Sequence, residues 1–195
     1  MKKVVLILVA LLFGFYSNAQ GVQLGVKAGV NFATINGDDA VDPEPDGRTS
    51  LNIGAVAIIP ISDTFSVQPE AFFSGQGATA DIEGVEATWK LNYINIPVLA
   101  NVRLADGFSL QAGPQLGINV GDDIEVEDVE VSAEIDKSID FGAAFGAQYQ
   151  LENGLLIQAR YALGLIDLYD DEDLKNGVFS ISLGYLFDLT GNSNE

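Results

Sequence analysis

Past residue 20 the chain is written with a period of two. In Gly21–Ile35, Val22, Leu24, Val26, Ala28, Val30 and Phe32 fall on one parity, and Gln23, Gly25, Lys27, Gly29 and Asn31 fall on the other. Strand side chains point alternately to opposite faces, so this stretch predicts a β-strand with an apolar face and a face of amides and glycine. The pattern returns in 51–61, where Leu51, Ile53, Ala55, Ala57, Ile59 and Ile61 share a face. It returns in 65–77 (Phe65, Val67, Ala71, Phe73), 91–102 (Ile94, Ile96, Val98, Ala100, Val102) and 108–120 (Phe108, Leu110, Ala112, Leu116, Ile118, Val120). Three more segments complete it: 138–151 (Ile139, Phe141, Phe145, Tyr149), 155–165 (Ile157, Tyr161, Leu163) and 178–187 (Phe179, Ile181, Leu183, Tyr185, Phe187). Eight strands are predicted, and no useful stretch carries the 3.6-residue period of a helix.

The connections alternate in length. Segments 36–50, 78–88, 121–137 and 166–176 are long; 62–64, 105–107 and 152–154 are short. An antiparallel meander puts successive connections at opposite ends, so the long ones share one rim and the short ones the other. Short turns on one side and long loops on the other is the plan of an outer-membrane barrel.

Which face meets lipid is argued from charge. The four long segments hold 21 of the 28 acidic residues, whereas the strands carry few charges. A soluble sheet dresses its wet face with Lys and Glu; here that face is Gly, Ser, Gln and Asn. Glycine packs nothing on an exposed strand, but it suits the crowded inside of a narrow eight-stranded barrel. In a bilayer the backbone has no water partner, so strands must pair fully and close without an edge. The segments match the roughly 9–11 residues a tilted strand needs to cross. Phe32, Phe65, Phe73, Tyr93, Phe108, Tyr149, Tyr185 and Phe187 lie near segment ends, which predicts interfacial girdles. Pro60, Pro69, Pro97 and Pro114 fall within strands, where each removes a ladder hydrogen bond; bulges or rims are the expected places for them.

The N-terminus carries Lys2 and Lys3, an apolar run from Val4 to Tyr16 and small residues ending at Ala19. This reads as a secretory signal peptide over 1–19; the run is too short to span a bilayer as a helix. Cleavage takes the formal charge from −19 to −21, which speaks against nucleic acid as a partner. With no cysteine and no histidine, the chain has no thiol nucleophile, no disulfide, no serine–histidine pair and no histidine-bound zinc. A carboxylate-only glycosidase is compatible with composition, but no two acids are paired by spacing. An enzyme is not expected, and no cofactor is called for.

Four charged residues fall on the inward parity: Lys27, Glu70, Asp140 and Arg160, on the first, third, sixth and seventh strands. Charges held away from water must pair, so they are expected to form an ion-pair cluster in the lumen, either a static plug or a gate. In the loops, Asp122, Asp123, Asp170, Asp171 and Asp173 offer hard oxygen ligands for a divalent cation, without the spacing of a known calcium loop. The alternation in 124–136 predicts that the third long loop extends its hairpin beyond the membrane as an edge for strand addition.

The phrases "GVKAGVNFATI", "IPISDTFSVQPEAFFSGQG", "LNYINIPVLANV", "FSLQAGPQLGINV", "ARYALGL" and "SLGYLF", in that order and spacing, resemble the porin-like outer-membrane β-barrel domain family, relatives in architecture of small OmpA/OmpX-type barrels. The resemblance runs from about Gln20 to Phe187 and implies an all-β, eight-stranded, antiparallel, up-and-down transmembrane barrel over 20–187, with a short polar tail over 188–195. It implies a bacterial outer-membrane location and insertion by the barrel-assembly machinery, with outer-membrane lipid and lipopolysaccharide around a monomer. The family's closing aromatic is matched by Phe187, but further residues follow it. The expected role is structural or surface-interacting, with a plugged lumen, acidic external loops and an extracellular protein partner for them. The alternatives are a narrow passive pore for small solutes and a soluble lipocalin-like carrier. The lipocalin reading would turn the apolar faces inward, and the single tryptophan, Trp89, opens the fourth strand and not the first.

Overall fold

Alternating sequence with apolar residues on one face favours extended backbone, and pairing satisfies its N–H and C=O groups. A computed structural model describes residues 21–36, 46–82, 85–126, 129–132, 138–166 and 175–188. Its strands are β1 (Gln23–Asn36), β2 (Asp46–Pro60), β3 (Phe65–Ile82), β4 (Val85–Ala105), β5 (Phe108–Val126), β6 (Val129–Ser132), β7 (Ile139–Gln150), β8 (Leu155–Gly164) and β9 (Lys175–Asp188). Each pairs antiparallel with its neighbour, and β1 pairs with β9 from Gln23↔Asp188 to Asn36↔Lys175, which closes the sheet. β6 and β7 both pair with β5, one beyond the other, and form a single stave of an eight-stave barrel. The expected signal peptide lies outside the described residues, as does the polar tail beyond Asp188, which itself closes β9.

The orientation is as the sequence pattern predicts. Leu183 is 57% exposed and its neighbour Ser182 only 3%. Val26, Phe32, Leu51, Ile53, Leu110, Ile118, Phe145, Ile157, Ile181 and Phe187 likewise project outward, while Lys27, Asn31, Asn52, Gln68, Gln111, Gln148 and Gln158 are buried inside. The lipocalin-like arrangement, with the large apolar side chains in a cavity, is not the one found. Facing outward pairs reinforce the seams. Phe32 stacks on Phe179 with ring centroids 6.3 Å apart, and Phe145 meets Tyr161 at 5.5 Å; such cross-strand pairs contribute roughly 0.2–1 kcal/mol each.

Glycine serves two purposes. At the Asp106–Gly107 turn, Gly107 has φ +75°, a conformation other residues rarely adopt. Within β7, a methyl on Gly146 would lie 2.2 Å from the Ala159 carbonyl oxygen, so the neighbouring strand could not keep its place.

Several expectations are corrected. Segment 78–88 is not a loop: β3 runs to Ile82 and β4 starts at Val85, and the two pair throughout, down to Ile82↔Val85. The strand expected to begin at residue 51 begins at Asp46. Tyr93 belongs to no girdle; with Leu91, Asn95 and Leu99 it points into the barrel, where it is 1% exposed. The interior also holds an apolar cluster of Val56, Ile58, Leu156 and Leu186, filling the space where a lumen of amides alone would leave polar groups unpartnered. The strand prolines, Pro60 apart, sit neither at rims nor at register shifts. Pro69 pairs with Val98, whose opposite number by register on β5 is Pro114, and Pro114 pairs with Ala143. The lost donors fall at one level, beside gaps in the β3–β4 and β4–β5 ladders, so the interruption is local.

Candidate functional site in the barrel lumen

Three of the four inward charges meet. β1 brings Lys27, β3 brings Glu70 and β8 brings Arg160, all buried. Arg160 grips Glu70 with two nitrogens, Nη1 to Oε2 at 2.8 Å and Nη2 to Oε1 at 2.5 Å. This fork matches the carboxylate plane. Lys27 Nζ donates to Glu70 Oε2 at 2.5 Å and to Gln158 Oε1 at 3.0 Å, and sits 4.3 Å from the centre of the Phe72 ring.

Amides extend this layer across the barrel. Gln68 donates to Glu70 Oε1 at 2.6 Å and accepts from Asn101 at 2.6 Å. Arg160 Nη2 also donates to Gln111 Oε1 at 2.8 Å, and Gln158 bridges at longer range to Gln111 and Gln148. The layer therefore draws on β1, β3, β4, β5, β7 and β8. Its charges sum to +1, because one carboxylate serves two cations. A second network lies higher in the barrel: Asn52 donates to Asn31 (2.7 Å), Asn31 to Ser74 (2.9 Å), and Ser182 to Asn52 (3.0 Å). Toward the short-turn rim, below the apolar cluster, a cavity of about 380 Å³ is lined by Gln23, Ser66, Arg103, Ser109, Gln150 and Asp188, among others.

Asp140 does not join the cluster. It lies further toward the long-loop rim, beside Tyr93 and Asn95 around Gly117 and beside Asn176 around Gly164. Parity put all four charges in the lumen but said nothing of height along it, and register sets the height. Of the loop acids, Asp122 and Asp123 lie in the extension of β5, opposite Leu91 and Lys90. Asp122 accepts from Asn119, and Lys90 forms an ion pair with Glu125. Asp170, Asp171 and Asp173 lie outside the described residues. Among the described residues no three carboxylates converge as a metal cluster. Sequence reasoning missed the amides that complete the charged layer; their signal was present in the inward parity of Gln68, Gln111, Gln148 and Gln158.

Among known families, the model for the outer membrane protein beta-barrel domain matches residues 17–170. The chain belongs to this family. Its place is the bacterial outer membrane, and the closed sheet with its apolar exterior is the form that location requires. No curated protein matches the chain. Among solved structures it is similar to Neisserial surface protein A, at a TM-score of 0.62 and 14% identity over 86% of this chain and 100% of that one. It is also similar to Ail, the attachment invasion locus protein of Yersinia pestis, at a TM-score of 0.54 and 16% identity over 86% and 100%. At these identities the likeness is one of fold.

Proposed function

We propose that this protein is a structural, surface-presenting barrel of the outer membrane, closed to solutes and without enzymatic activity. One observation carries the surface role. β3, β4 and β5, at 18, 21 and 19 residues, exceed what a bilayer needs, whereas β8 has ten. Their far ends stay paired, with Ala80↔Ala87 and Ala87↔Val126, and β6 continues the sheet by Val126↔Val129. Among the described residues β6 pairs only with β5, so its other edge is available for an added strand from a protein partner. The acidic segments around it keep such an edge soluble. In the membrane we take the barrel to be a monomer, inserted by the assembly machinery and surrounded by lipid and lipopolysaccharide, with the short turns on the periplasmic side.

The closed lumen rests on the layer around Glu70, whose polar groups, Asn101 Oδ1 and Arg160 Nε apart, are spent on one another. Purified protein in planar bilayers should give no step-like currents; reproducible single-channel steps would favour a narrow passive pore, a reading to which the cavity at the short-turn rim lends some support. For the surface role, replacing 121–137 by a short turn should leave folding intact and abolish adhesion of cells displaying the barrel. Undiminished adhesion would refute it.

A further inference from the structure

We propose that the short-turn end of the lumen is a socket for a short zwitterionic peptide, with Arg103 taking its carboxylate and Asp188 an ammonium. The ladder sets the base in place. Ser66 on β3 pairs with Asn101 on β4, whose side chain is buried inside the barrel. Arg103 lies two residues beyond Asn101 on the same face and pairs with Ser109 on β5. The strands on either side of β4 thus each bring a hydroxyl to the cavity of about 380 Å³ that the guanidinium lines. Among the described residues no carboxylate forms an ion pair with Arg103. The acid stands on the opposite wall. Asp188 ends β9, and three staves separate β9 from β4 in either direction around the barrel. Gln23 donates to Asp188 Oδ1 at 2.9 Å and accepts from Gln150 at 3.0 Å, which steadies the carboxylate at that wall.

The two walls decide the ligand. Asp63 and Glu152, from two of the short turns, also line the cavity, so its acids outnumber its base. A simple anion would match Arg103 and meet three carboxylates. A simple cation would leave the guanidinium unmatched. A peptide with a free carboxylate and free ammonium groups answers both walls, and its amide meets the side-chain amides of Gln23, Gln148 and Gln150. Arginine suits the carboxylate because its planar fork donates two parallel N–H bonds. The volume falls within the roughly 300–1,000 Å³ of small-ligand sites. Ile58 of the apolar cluster and Gln148 of the Glu70 layer both line the space, so it ends where those layers begin. On the orientation proposed above the socket opens to the periplasm. The inference goes beyond the surface role and stands without it.

Calorimetric titration of the refolded protein in detergent, at low ionic strength where charge is least screened, tests the socket with two probes: the dipeptide lysyl-alanine and its C-terminal amide. Wild type should bind the dipeptide, and amidation should weaken binding about tenfold, equivalent to roughly 1.4 kcal/mol. In Arg103→Gln the acid and the amide should bind alike, at the level of the amide in wild type. Asp188→Asn keeps the oxygen that Gln23 holds and should weaken both probes by a similar factor, about threefold, as expected for an exposed ion pair. The comparison of acid with amide in wild type needs no variant, so it reads the carboxylate contact even if a variant fails to refold. No binding by wild type, equal affinity of wild type for acid and amide, a full amidation penalty in Arg103→Gln, or unchanged binding by Asp188→Asn would each overturn the assignment.

Discussion

At the residue scale the account turns on Glu70. It is the single carboxylate between Lys27 and Arg160, so its loss strands two buried cations, whereas the loss of Lys27 leaves the Arg160–Glu70 fork neutral and intact. Breaking a buried pair by removing one partner costs about 3–5 kcal/mol. Glu70→Gln should fall in that range in urea unfolding, and Lys27→Met should cost clearly less; equal costs would mean the layer does not work as a charge triad. Glycine gives a second expectation of this size. Gly146→Val places a side chain against the Ala159 carbonyl, 2.2 Å from its first carbon, and overpacking of that kind typically costs about 1–3 kcal/mol or more. The variant should refold poorly by heat-modifiable gel mobility, while Gly121→Ala, whose added methyl would be 3.8 Å from Asn92 Nδ2, should refold as wild type does.

At the scale of elements, the strands outrun the membrane on one side only. Cutting back the β3–β4 tip between 79 and 88 should lower stability little, because the barrel staves below it keep their partners; a large loss in urea unfolding would show that the projecting sheet props the barrel. Much of this level was legible in the chain. Period-two alternation marked every stave, and short turns such as Asp106–Gly107 marked one rim. The error at 78–88 has a physical cause. Alternation signals a strand only where the two faces meet different surroundings. In "ATADI" and "VEAT" the alternation rests mostly on alanine, too weak a contrast with the acids and threonines between to mark a strand, although their backbones pair. The prolines misled in the opposite sense. Each argues singly against a strand interior, yet Pro69 and Pro114 sit on either side of Val98 at one level of the barrel, so their cost is shared by one disturbed patch of ladder. Height within the lumen was not legible at all. Parity could place Asp140 and Arg160 on the same face, but only the stagger between strands decides that Arg160 reaches Glu70 and Asp140 does not.

At the scale of the whole molecule, every inference depends on the apolar rows facing acyl chains. A charge placed there is expensive: Leu183→Arg should destabilise by about 2–4 kcal/mol if the position lies near the bilayer midplane. The orientation itself is measured more directly by moving the sole tryptophan. With Trp89 replaced by Phe, single tryptophans are introduced in turn at Ile181, Ser182 and Leu183 on β9, and their fluorescence is read in vesicles whose lipids carry bromine on the acyl chains. The account requires strong quenching at 181 and 183 and little at 182. Quenching at 182 with none at its neighbours, or no quenching anywhere because the protein stays in aqueous solution, would contradict it.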